Sequence, residues 1–183
     1  MDSSIKIVGV GFARCSLRFT MMEIRPMAEL SDDIHEEIKR LCAQGDAQAE
    51  AGEFAAAFPL YWAAFDLLPE PKTDWEAGTW TLAAIGDANF LSGDFEAGRD
   101  NLSNAMHFPD AIGNPFLHLR LGQCQFELGN LDRAADELMR AYMGGGPELL
   151  ADEDPKYLQF LSTRAEGINV SGKPAKRWQF WKK

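Results

Sequence analysis

Small and apolar residues recur along this chain in one arrangement that appears three times. In EAGEFAAAFPLYWAA (50–64), Gly52, Phe54, Ala57, Tyr61 and Ala64 stand at relative positions 0, +2, +5, +9 and +12. LSGDFEAGRDNLSNA (91–105) places Gly93, Phe95, Gly98, Leu102 and Ala105 at the same offsets, and FELGNLDRAADELMRA (126–141) does so with Gly129, Leu131, Ala134, Leu138 and Ala141. Seven residues before each turn glycine lies another, at Gly45, Gly86 and Gly122. Gly52, Gly93 and Gly129 sit where a helix stops, the place for a left-handed residue without a Cβ. Gly45, Gly86 and Gly122 fall inside helices, where each costs about 1 kcal/mol relative to Ala. Three such costs at one repeat position imply a neighbouring helix too close for a side chain, with Ala57, Gly98 and Ala134 as the facing small residues.

The pattern predicts helices over about 32–51, 54–68, 74–91, 95–107, 115–128, 131–143 and 155–166. Asp33 with Glu36, and Thr73 with Glu76, have capping-box spacing. Asn114-Pro115 and Asp154-Pro155 each place a capping residue before a first-turn proline. GGGP (144–147) and ADED (151–154) separate the third unit from the last helix, PKYLQFLSTRAE, which gathers Tyr157, Leu158, Leu161 and Ala165 on one face. The expected fold is all-α: three helical hairpins with a C-terminal helix covering the last exposed apolar face.

These residues resemble the tetratricopeptide repeat, which has Gly or Ala in its first helix, Gly-Asp-Tyr at the turn, then small and aromatic residues in its second. The units run at about 38–71, 79–112 and 115–148, and cover about three-fifths of the chain. The turn glycines are 41 and 36 residues apart, so extra residues lie between units, the first insertion including much of EPKTDWEAG (70–78). The resemblance implies an α-solenoid whose first helices line a concave face, through positions 2, 5, 9, 12 and 13 of each unit. Those positions hold Lys39, Cys42, Asp46, Ala49 and Glu50 in the first unit, and Trp80, Ala83, Asp87, Phe90 and Leu91 in the second. The third supplies Phe116, Leu119, Gln123, Phe126 and Glu127. Members of the family that clamp a terminal carboxylate use Lys and Asn there; acidic and apolar residues in this chain disfavour that ligand.

Charge adds a direction. Residues 28–167 hold 26 Asp/Glu against 9 Lys/Arg, a net of −17, whereas residues 1–27 carry +2 and residues 168–183 carry +5. An acidic body repels phosphates, which argues against nucleic acid as a partner. Such acidity serves solubility, or it selects a basic protein. The first 27 residues lack a helical period. IKIVGVGFAR invites comparison with a dinucleotide-binding turn, but Arg14 occupies the third glycine position and no crossover helix follows. The expectation is a poorly ordered extension, with Met27 a candidate natural start, followed by a helical domain over 28–167 and a basic, aromatic tail over 168–183. No apolar run approaches the ~18 residues of a membrane span. Cys15, Cys42 and Cys124 form no disulfide framework, consistent with reduced thiols and a cytoplasmic setting.

Motifs of chemistry are absent from the sequence. His35, His107 and His118 stand alone, without HExxH or paired cysteines, and there is no nucleophile elbow or phosphate loop. His118, one turn from Gly122, reads as a packed residue rather than a base. No enzymatic activity, metal or cofactor is expected. What remains is a single protein partner, with Trp80, Phe90, Phe116 and Phe126 as apolar anchors, Gln123 among them, and Asp46, Glu50, Asp87 and Glu127 steering a basic surface. Packing of some of these aromatics against the last helix is the competing reading. The partner classes are a toxin neutralised by an immunity protein, a translocator or effector held by a secretion chaperone, and a client of a general scaffold. The first follows a resemblance to small bacterial tetratricopeptide immunity proteins with ends like KRWQFWKK. The second follows PFLHLRLGQCQFELGNLDRAADEL, which looks like the third repeat of translocator chaperones.

Overall fold

A computed structural model describes residues 30–168; the expectations for residues 1–27, and for the tail beyond Ile168, lie outside the described residues. Within them all regular structure is helical. The elements are α1 (Asp32–Glu50), α2 (Phe54–Asp66), α3 (Glu76–Ser92), α4 (Phe95–Ala105), α5 (Pro115–Glu127), α6 (Leu131–Ala151) and α7 (Pro155–Arg164), with a 3-10 turn at Lys72–Asp74. Each helix packs on the next in the chain, and α3 also touches both α1 and α5. The first helices of the three pairs therefore form an inner row, α1–α3–α5.

The repeated register has a direct physical origin. Gly52, Gly93 and Gly129 have φ of +80°, +84° and +77°, the left-handed region in which a side chain is strained. At the helix-interior glycines the constraint is space. A Cβ on Gly45 would lie 2.5 Å from the Tyr61 ring, one on Gly86 2.4 Å from Leu102, and one on Gly122 2.9 Å from both the side chain and the backbone nitrogen of Leu138. The residue filling each gap is thus the +9 position of its own unit, rather than the +5 small residue expected to face it. In the second unit the +5 glycine does approach: a Cβ on Gly98 would meet the Gly86 carbonyl at 3.5 Å and Cys124 Sγ, in the next unit, at 2.9 Å. Ala57, Ala64, Ala105, Ala134 and Ala141 are fully buried.

Two expected caps are corrected, and one expected helix end shifts. Asp33 does not cap α1: Ser31 holds the extended backbone that precedes the helix, and its side chain makes no cap bond. Thr73 does not cap α3: it lies inside the 3-10 turn, and Trp75 takes the extended cap position. The inserted residues here are anchored, since Trp75 Nε1 donates to the Pro69 carbonyl at 2.7 Å and Lys72 Nζ to that of Phe65 at 3.0 Å. GGGP does end the long helix of α6, slightly later than expected, and a short helical segment follows the break. The helical path continues past Gly144 and Gly145, breaks at Gly146 (φ 73°, ψ 176°), and resumes from Pro147 to Ala151. The segment beyond the break, 147–151, was not read from the sequence; it buries Leu150, worth about 1.5–3 kcal/mol. The caps read from Asn114 and Asp154 are present: their side chains accept from the backbone N–H of Phe116 and Lys156.

The core has two parts. One runs from Ile38 through Leu82, Ile85 and Leu102 to Leu117 and Leu121. The other joins Leu119, Leu138 and Leu150 to Tyr157, Leu158 and Leu161 of α7. Tyr157, Leu158 and Leu161 of the apolar face read from the last helix are therefore buried, whereas Ala165 falls just past the helix end and is half-buried; α7 closes the α5–α6 end. No helix among the described residues is long and apolar enough to cross a membrane.

Candidate partner-binding surface

The inner row carries the nine sequence-derived candidates, and its two ends differ. At the α1–α3 end Glu50 is exposed, while Asp46 and Trp80 are half-buried. The Trp80 ring meets His35 edge-on, with centroids 6.1 Å apart. Asp46 accepts the Tyr61 hydroxyl at 2.8 Å. Burial, and then the Asp46 charge, push the Tyr61 hydroxyl pKa upward, so the ring stays a neutral donor.

At the α5–α7 end the candidates are engaged from within. Arg120, on α5, is 8% exposed and lies between two carboxylates, Asp87 of α3 and Glu153 before α7. Its Nη1 donates to Glu153 at 2.6 Å and to Gln123 Oε1 at 2.7 Å, and its guanidinium lies 4.8 Å from the Phe90 ring centroid and 5.3 Å from that of Phe116. Burial pulls the guanidinium pKa down, but Asp87 and Glu153 outweigh it and the group stays charged. Gln123 has no exposed surface and its amide donates to Glu153 at 3.0 Å; Phe116 is 8% exposed. Phe126 packs against Tyr157 and Phe160, with centroids at 5.4 and 5.0 Å. Glu127 accepts the Tyr157 hydroxyl at 2.6 Å and pairs with Lys156 at 2.7 Å. Helix α7 thus takes up Phe126 and Glu127 and reaches Phe90, whose ring lies 6.4 Å from Tyr157.

Arg120 is the residue that organises this end, and it was not singled out from the sequence. A signal existed. In PFLHLRLGQCQFE it is the lone full-time cation, set between two leucines, and a charge on a buried face must be paired. His118 is buried as expected, with Nδ1 2.6 Å from Glu137 and Nε2 2.6 Å from the Ile112 carbonyl. Both neighbours are acceptors, which favours the doubly protonated ring. The Glu137 bond raises the His118 pKa, burial opposes it, and the Ile112 bond adds to the rise.

The remaining chemistry is subdued. Burial pushes the Cys42 and Cys124 thiols up to about 12, far from a reactive thiolate. Among the described residues no group of three or more His, Cys, Asp or Glu side chains is placed to hold a metal ion. No family model matches the chain, and no curated protein matches it.

Proposed function

We propose that the chain is a protein-binding module, an α-solenoid of three tetratricopeptide-like hairpins capped by α7, that neutralises one basic secreted toxin or effector domain as an immunity protein and does no chemistry itself. The observation that supports the module most is the threefold register, in which a left-handed turn glycine follows a helix glycine covered by the +9 side chain of the same unit. That arrangement supports reading the pairs as tetratricopeptide-like hairpins. The acidic body favours a basic partner, because complementary charge accelerates encounter.

The partner surface we assign is the α1–α3 end of the inner row: exposed Glu50 with half-buried Asp46 and Trp80. Phe90, Phe116, Gln123 and Asp87 are instead engaged by Arg120, and Phe126 and Glu127 by α7. Capture from the native host on tagged full-length chain, read by mass spectrometry, tests this. One basic protein should be enriched, and co-expressing the chain should rescue growth arrested by that protein. A Trp80→Ala, Glu50→Lys variant, folded and expressed normally, should not rescue. A translocator in the captured fraction, with no toxic protein, would move the assignment to a secretion chaperone.

A further inference from the structure

The row ends in a depression of about 430 Å³ between the C-terminal end of α3 and the N-terminal end of α7. Its wall is aromatic and aliphatic, from Phe90, Leu91, Phe95 and Tyr157, and Glu127 and Glu153 stand beside it. The rings form a continuous surface, with Phe90 5.8 Å from Phe95 and 6.4 Å from Tyr157. Leu91 leaves 43% of its surface in water there. Apolar rings next to carboxylates suit a segment that alternates aromatic and cationic side chains. Lys156 shows the chemistry at one edge of the depression: its ammonium sits 2.7 Å from Glu127 and 5.0 Å from the Tyr157 ring centroid, while the side chain stays 42% exposed.

We propose that the occupant is the basic, aromatic stretch 171–183 of the same chain, with Trp178, Phe180 and Trp181 seated on Phe90, Leu91 and Phe95. Charge complementarity favours it. Residues 168–183 contribute Lys173, Lys176, Arg177, Lys182 and Lys183 with no acidic residue, against the net −17 of residues 28–167. Reach allows it. Ile168 packs on the same apolar cluster as Tyr157 and Leu161, so the chain leaves the body beside α7. The depression lies at the other end of that ten-residue helix, roughly 15 Å away at 1.5 Å per residue. The fifteen residues that follow Ile168 span up to about 50 Å when extended. Tethering gives the segment an effective concentration in the millimolar range, which favours its own body over a second copy at ordinary protein concentrations. The docked segment covers the α7 end of the row and leaves the α1–α3 end, with Glu50 and Trp80, to a partner.

Photo-crosslinking of the full chain tests this, with p-benzoylphenylalanine in place of Trp181. The expected result is crosslinks within one chain, mapped by mass spectrometry to residues 90–95 and 153–157. Leu91→Lys should lower their yield by about tenfold, the equivalent of ~1.4 kcal/mol, without changing the melting temperature, because Leu91 lies at the surface. A second variant, Trp178→Ala with Phe180→Ala, leaves the body intact and should lower the same yield. Raising salt to about 1 M, where screening shortens to ~3 Å, should lower it too. Crosslinks between chains, crosslinks scattered over the acidic body or confined to α1 and α2, or a yield unchanged by Leu91→Lys would each overturn the proposal. Loss of partner capture in the Trp80→Ala, Glu50→Lys variant is independent of this outcome, so the two assignments fail separately.

Discussion

The two ends of the inner row occupy matching positions in the repeat, yet they behave as different materials. Around α1 and the start of α3, Glu50 faces water, Asp46 accepts the Tyr61 hydroxyl, and Trp80 packs half-buried on the core with its ring edge-on to His35. Around α5, each candidate is bonded to or packed on another part of the chain: Gln123 to Arg120 and Glu153, Glu127 to Tyr157 and Lys156, Phe126 to two aromatics of α7. Equivalent register therefore says which face a residue lies on, and not whether that face is available. What separates the ends is α7, which brings its own aromatic and cationic groups to the row and takes the place a partner would occupy.

Cutting the internal network should separate the two ends most sharply. Arg120→Ala removes a buried cation and leaves half-buried Asp87 and Glu153 facing each other without it, and the loss should be about 3–5 kcal/mol in denaturant unfolding. A loss below about 1 kcal/mol would mean that water already screens this group. Next in size is Gly122→Ala. The helix propensity of Ala favours the change by about 1 kcal/mol, but the new Cβ meets the Leu138 backbone, which no rotamer change relieves. A net loss of about 1–3 kcal/mol is expected, as for Ala134→Leu; a stabilised variant would refute the register. Tyr157→Phe, which removes the hydroxyl bonded to Glu127, should cost about 1–2 kcal/mol, most of it at the α7 end.

His118 supplies a smaller, pH-dependent effect. Its folded-state pKa is raised, so its contribution is fully present below the unfolded value of about 6.5. It is lost as pH rises through the folded pKa. Unfolding free energy measured between pH 6 and 9 should therefore fall for the wild type, with a shallower fall for His118→Gln. Identical slopes would remove the ion pair from the account. Smallest of all, Glu50→Gln should leave stability within about 0.5 kcal/mol while slowing association with a basic partner and flattening its salt dependence.

Much of this was legible in the residues. The triple offset set the helix pairs, and Asn114-Pro115 and Asp154-Pro155 marked starts that the structure keeps. The capping boxes at Asp33 and Thr73 misled because spacing alone does not decide which residue takes the extended cap backbone. Ser31 and Trp75 take it instead. GGGP marked a break that the structure keeps at Gly146, but not the short segment 147–151 beyond it, which is held by the tertiary burial of Leu150. The division of the row was hidden for the same reason. Periodicity places Gln123 and Phe126 on a face, but only the packing of α7 and the bridge from Arg120 to Glu153 show what meets them there.

The most direct test of the divided row is the affinity of the captured partner for two variants, measured where both are fully folded. Trp80→Ala should weaken binding by about 30-fold, the equivalent of losing a ~2 kcal/mol anchor. Phe126→Ala should lower the melting temperature yet keep the affinity within about threefold of the wild type, since its ring packs on Tyr157 and Phe160. The reverse order, with Phe126→Ala destroying affinity and Trp80→Ala leaving it intact, would place the partner on the end that α7 covers and contradict the account.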